Sequence, residues 1–185
     1  MANLRPLKPV GTENPRSASI AALELRENPD LALASLALRG EAVAPKPFGL
    51  HLPAPGRWVR GHKVAAFWAG PDLWMIEAEG HAEDDFAADL REAAQGCSVT
   101  EQTGGWVAVE IFSQAGGGPI EALLAKLINI DLAGLPPGRA ICTVLEHMTC
   151  FVIRRSETHV AVLGARSFAA SLWHALETAA KRCGR

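Results

Sequence analysis

The chain lacks any apolar run approaching the ~20 residues that a helix needs to cross a bilayer, because Gly, Pro or charge interrupts every candidate stretch first. A membrane-spanning helix is thereby excluded, and no membrane partner is expected. An excess of either charge is also missing. With 18 Lys and Arg against 20 Asp and Glu, the formal net charge is -2. No broad basic field grips a phosphate backbone, and the arginines form no stripe, so nucleic acid is not an expected partner. Cysteine is sparse. Cys97, Cys142, Cys150 and Cys183 lie far apart in a chain large enough to fold without staples, which suits reduced thiols in the cytoplasm. The first residues include basic side chains but no continuous apolar segment, and their prolines would interrupt an amphipathic transit helix; no secretory signal is expected.

Signatures of autonomous chemistry are absent too. There is no Gly-x-Gly-x-x-Gly and no Gly-Lys-Ser/Thr ending, and Gly116-Gly117-Gly118 is followed by Pro119, which removes a backbone donor where a phosphate would use it. That triple glycine reads as a strand-to-helix turn. Cys142, His147 and Cys150 have no second ligand pair at zinc spacing. In an uninterrupted strand the two cysteines would share a face and His147 would point away, so buried thiols and a surface imidazole are expected. No Gly-x-Ser-x-Gly elbow is present, and Asp84, Asp85, Asp89 and Glu92 read as a solvated helix face. Neither a catalytic residue, a cofactor-binding residue nor a metal ligand is identified.

What is there is the material of a folded domain. The 185 residues are 49% hydrophobic and 21% charged, close to the globular average. Residues 1–19, with Pro6, Pro9, Gly11 and Pro15, read as a flexible arm, and residues 20–185 as a single α+β domain, with room for two related subdomains divided near 96–105. The Leu/Ala alternation of 31–39 allows a helix or a buried strand. Residues 64–69 and 73–78 flank Gly70-Pro71-Asp72 as a hairpin that places Trp68 opposite Trp74. Helices are expected over 83–94, from Pro119 with Ile120, Leu123, Leu127 and Ile130 on one face, and from a Ser167 cap with Phe168, Leu172, Ala175, Leu176 and Ala179 buried. Strands are expected over 106–113, 140–145, 150–154 and 159–163. Phe86-Ala87-Ala88-Asp89-Leu90 and Phe168-Ala169-Ala170-Ser171-Leu172 echo each other as two helix starts. The element order argues for mainly antiparallel pairing.

Several segments taken in order carry a resemblance: Leu36-Ala37-Leu38-Arg39-Gly40, Leu52-Pro53, Trp68-Ala69-Gly70-Pro71-Asp72-Leu73-Trp74-Met75-Ile76, Ala122-Leu123-Leu124-Ala125-Lys126-Leu127, Ile130-Asp131-Leu132, Pro136-Pro137-Gly138 and Arg166-Ser167-Phe168-Ala169-Ala170-Ser171-Leu172-Trp173. Together these resemble the gamma subunits of heterotetrameric sarcosine oxidases, distant relatives of the folate-binding aminomethyltransferase domain. The resemblance implies that residues 31–39 form a strand. It implies structural or interface roles for Gly70, Pro71, Asp72, Trp74, Asp131, Leu132, Gly138, Arg166 and Ser167. It further implies a non-catalytic subunit of a complex that demethylates sarcosine to glycine with folate as one-carbon acceptor. FAD, FMN, NAD and tetrahydrofolate would belong to the whole complex, and the partners would be larger flavin-containing alpha and beta subunits and a small delta subunit. Leu73 stands where an acidic residue is expected and Thr103 where serine is common, which leaves room for a complex acting on another N-methyl amino acid. A stand-alone folate-binding one-carbon transferase is the enzyme alternative, and fold alone does not decide between them.

Overall fold

A computed structural model of the chain describes residue 9 and residues 13–40, 43–131 and 134–183. The strands in chain order are β1 (Ser17–Ile20), β2 (Leu23–Asn28), β3 (Leu31–Ala37), β4 (Trp58–Arg60), β5 (Ala65–Gly70), β6 (Leu73–Glu79), β7 (Ser98–Glu101), β8 (Trp106–Ser113), β9 (Arg139–Leu145), β10 (Met148–Ser156) and β11 (His159–Ala165). The helices are α1 (Phe86–Ala93), α2 (Gly118–Leu127) and α3 (Ala169–Cys183). Two sheets result, ordered β1-β2-β8-β11-β10-β9 and β4-β5-β6-β3-β7, and their registered strand pairs are antiparallel. This is the α+β class expected. The chain divides into one compact unit of Met1–Pro29, Trp106–Pro137 and Cys142–Arg185 and another of Asp30–Gly105 and Gly138–Ile141.

In the first unit β2 alternates between buried and accessible residues, whereas β8 and β11 are buried on both faces through their centres. Leu25 lies opposite Ile111, which lies opposite Val160, and all three are fully buried. Helix α3 packs on β11 and on α2, through Leu172, Trp173, Ala175, Leu176 and Ala179. The approach is close because β11 offers Gly164 beneath Leu172.

In the second unit β3 is flanked by β6 and β7, and Ala32, Ala34 and Leu36 pack with Ala66, Ile76, Ala87 and Leu90 in one core. Small side chains on the strand let α1 settle near the sheet. Asp85 holds the start of α1 by accepting the Ala88 N–H at 3.0 Å, which satisfies one of the first-turn donors.

Some expectations need correction. Ser17, Ala18 and Ser19, assigned to the arm, are strand residues paired with β2; most of the remaining arm lies outside the described residues. Helix α1 begins at Phe86, not residue 83, where its Asp85 cap dictates. The buried face of α2 uses Leu124 with Ile120 and Leu123, and Ile128 beyond its end is buried, whereas Leu127 and Ile130 are only half-buried. Ser167 does not cap α3: it sits inside a 3-10 turn, Arg166–Phe168, that precedes the helix. That tighter turn rotates Phe168 outward, 49% exposed, and Ala169 takes the buried position.

A Cβ at Gly164 would lie 2.9 Å from Leu172 Cδ2. Gly164→Val is expected to destabilise the first unit by about 1–3 kcal/mol through overpacking, seen as a lower thermal denaturation midpoint, and the added change Leu172→Ala should restore part of it. An unaltered midpoint for the single variant would contradict this packing.

Candidate functional site

The expected hairpin is present. β5 and β6 are joined through Pro71 and Asp72, with Trp68 paired directly to Trp74 and a bulge between Trp68 and Gly70. Pro71 presets the first turn dihedral, and Asp72, at φ 52°, takes the left-handed conformation that Asp tolerates better than most side chains. The Asp72 carbonyl accepts the Leu38 N–H at 3.0 Å, tying the turn to the end of β3. Trp74 Nε1 donates to the Pro53 carbonyl at 2.8 Å, holding the proline-rich loop 52–55 against the sheet. An open groove of about 480 Å³ lies between them, lined by Leu52, Pro53, Pro55, Trp68, Asp72 and Trp74 among others. Its walls are apolar rings, suited to packing; no base and nucleophile meet there.

The other motif residues are dispersed. Gly138, at φ 82°, turns the chain into β9, and its carbonyl accepts the Trp58 N–H at 2.9 Å. Asp131 is exposed, with its carbonyl accepting the Gly134 N–H. Arg166 and Ser167 are exposed in the turn before α3. Leu132 lies outside the described residues. Gly70, Pro71, Asp72, Trp74 and Gly138 belong to the second unit, whereas Asp131, Arg166 and Ser167 belong to the first. Thr103 bridges within the second unit: its Oγ1 accepts the Leu33 N–H at 2.9 Å and donates to the Leu33 carbonyl at 3.3 Å.

In the Gly116–Gly118 turn only the middle glycine is crowded, while Gly116 and Gly118 face open space. A Cβ at Gly117 would lie 3.1 Å from Arg154 Nη2 and 3.3 Å from the Glu157 carbonyl oxygen, so a side chain there would press on both. Arg154, only 3% exposed, donates to the Glu157 carbonyl and lies 3.9 Å from Glu121. The parity expected for Cys142 and Cys150 fails, because Glu146 and His147, both at positive φ, make a two-residue turn between β9 and β10. Cys150 is buried as expected but Cys142 is exposed. Burial, reinforced by nearby Cys142, pushes the Cys150 thiol up to about 11, which keeps it unreactive. Among the described residues no group of three His, Cys, Asp or Glu is arranged to hold a metal.

Sequence reading missed one ionic network. Glu110, 7% exposed in the middle of apolar β8, accepts Arg155 Nε at 3.2 Å, Arg155 Nη2 at 3.1 Å and His159 Nε2 at 2.7 Å. A bulge between Arg154 and Ser156 accompanies Arg155's position, and Phe112 stacks on the His159 ring with centroids 4.2 Å apart. The one available signal was an acid inside the run Trp106–Ser113; its partners depend on strand register. Burial pushes the Glu110 carboxyl up, but the His159 hydrogen bond and the Arg155 guanidinium outweigh that and hold it below the usual carboxylate range.

A folded-state value below the unfolded one, roughly 4.3 for Glu, means that the network's contribution is complete above that unfolded value and is lost as pH falls through the lowered folded value. Glu110→Gln is expected to flatten this acid limb and, by removing the carboxylate that pairs Arg155, to lower stability at neutral pH by about 3 kcal/mol. Thermal midpoints measured from neutral to acid pH check both; parallel acid limbs for the two proteins would contradict the assignment.

The family model described as sarcosine oxidase, gamma subunit, matches residues 34–182. Among solved structures, the chain is similar to heterotetrameric sarcosine oxidase from Corynebacterium sp. U-96 in complex with pyrrole 2-carboxylate, with 22% identity and a TM-score of 0.74 over 91% of this chain and 88% of that one. It is also similar to glycine cleavage system aminomethyltransferase T from Bartonella henselae, with 17% identity and a TM-score of 0.58 over 84% of this chain but 48% of that one. At these identities the likeness shows the fold. A comparison with curated proteins finds no sequence match.

Proposed function

The chain belongs to the sarcosine oxidase, gamma subunit family, and on that premise we propose that it is the non-catalytic gamma subunit of a heterotetrameric sarcosine oxidase. The observation that carries this reading is the family match across residues 34–182. The geometry supports it: the hairpin groove is lined mainly by proline and tryptophan rings, a surface for packing. In the assembled enzyme the N-methyl group of sarcosine is oxidised and its carbon passed to tetrahydrofolate, leaving glycine. FAD, FMN and NAD reside on larger alpha and beta subunits, with a small delta subunit completing the set, in the cytoplasm. This chain contributes surface and shape. The related N-methyl amino acid dehydrogenase and the stand-alone transferase are not favoured, since the family match names the sarcosine oxidase subunit and the aminomethyltransferase likeness covers only 48% of that protein.

When an affinity-tagged copy is produced together with the alpha, beta and delta subunits, it is expected to retrieve them with their flavin absorbance in constant ratio, and omission of this chain should reduce recovery of the complex. Elution of the tagged chain alone, with sarcosine oxidation intact without it, would refute the proposal.

A further inference from the structure

The charges of this chain are unevenly placed. Between residues 42 and 71 there is no acidic residue, while Lys46, Arg57, Arg60 and Lys63 fall within that span; the rest of the chain holds 14 Lys and Arg against 20 Asp and Glu. All four cations are exposed, and among the described residues none forms an ion pair. Arg139 adds a fifth cation from the same unit, its guanidinium 3.1 Å from where a Gly56 Cβ would stand. In the first unit Arg26, Arg154, Arg155 and Lys181 each lie beside a carboxylate, and among the described residues exposed cations without an ion pair, such as Lys126, Arg166 and Arg182, are far apart in sequence. Like charges close along the chain and without counter-ions repel one another, so such a segment gains when a negative surface covers it.

The same segment holds an apolar recess. An open groove of about 360 Å³ lies between His51 and His62, floored by Leu50, Val59 and Val64, with Phe48 at its rim. Phe48 has φ 51°, a left-handed conformation uncommon for an aromatic residue, and stays 36% exposed while its ring stacks on Phe86 at 6.4 Å. Strand β4, which carries Trp58 to Arg60, is at the end of its sheet. Exposed cations in the same short segment as an apolar recess, on a sheet edge, match an acidic segment with one anchoring apolar side chain.

We propose that the surface of residues 46–63 is where this subunit docks onto its complex, and that the partner's contribution is an acidic polypeptide segment whose apolar side chain enters the groove beside Phe48. The proposal rests on the gamma-subunit reading and adds the face and the charge of the partner.

The test uses the co-produced complex. Arg60→Glu with Lys63→Glu leaves the core untouched, and the variant's thermal midpoint should equal the wild type's. Its association with the other subunits is expected to weaken about tenfold or more, and the wild-type association to weaken with added salt more steeply than the variant's. Lys126→Glu, a charge reversal on α2 in the other unit, controls for net charge and should assemble normally. Equal assembly of the double variant and the wild type, or equal weakening by Lys126→Glu, would overturn the docking face while leaving the gamma-subunit reading standing. A wild-type chain that never assembles would remove both. Nucleic acid or inorganic phosphate retained by the wild type and lost from an otherwise normally assembling double variant would assign the face to another anion and overturn the proposal.

Discussion

Burial of β3 on both of its faces is the constraint on which the second unit depends. Leu31 and Leu33 are hidden on one side, and Ala32, Ala34 and Leu36 on the other. A strand buried on both faces must satisfy its backbone groups in a sheet, which β6 and β7 accomplish from either side. Pairing Ala34 with Ile76 and Leu36 with Trp74 puts Trp74 on the face shared with α1, toward the end of the helix-covered core. From there the consequences are local: Trp74 pairs with Trp68 and pins the Pro53 carbonyl. The proline-rich loop is thereby held in place, and the cationic segment from Lys46 to Lys63 surrounds that anchor in sequence.

Much of this was legible where side-chain chemistry and turn geometry agree. Pro71 and Asp72 announce a turn, and two short apolar runs on either side can only pair one way around it, so Trp68 opposite Trp74 followed. Strand β8 was readable to the residue because its run of β-branched and aromatic side chains is bounded by Gly105 and by the glycines after Ser113. Helix α3 showed its buried stripe in the spacing of Leu172, Ala175, Leu176 and Ala179. The choice between helix and strand for residues 31–37 was illegible for a physical reason: a segment buried on both sides has no polar period to read. The ordered motifs decided it.

Other elements were hidden because their signals are tertiary. The β1–β2 hairpin turns through Ala21, at φ 51°, with neither Gly nor Asn to mark it. Ser167 has a capping side chain at a plausible place, yet the 3-10 entry moves the helix start past it. Cys142 and Cys150 were read as one strand's cysteines, and a turn at Glu146 and His147 separates them. The docking face was visible as an absence, the missing acids between residues 42 and 71, but its exposure and its lack of ion pairs required the fold.

The Glu110 network shows what a buried ion cluster contributes to the alignment of strands. Its net stabilisation is small when compared with apolar residues of similar volume, because removing a carboxylate and a guanidinium from water costs nearly what their attraction returns. Its effect on register is different in kind. β8 is apolar on both sides of Glu110, so hydrophobic burial by itself would tolerate a slip of one residue against β11 with little penalty. Such a slip would send the carboxylate to the face of Leu25, Ile111 and Val160, away from Arg155 and His159, and strand a charge among aliphatic side chains. One acidic residue in an apolar strand therefore selects the alignment that all the neighbouring strands inherit.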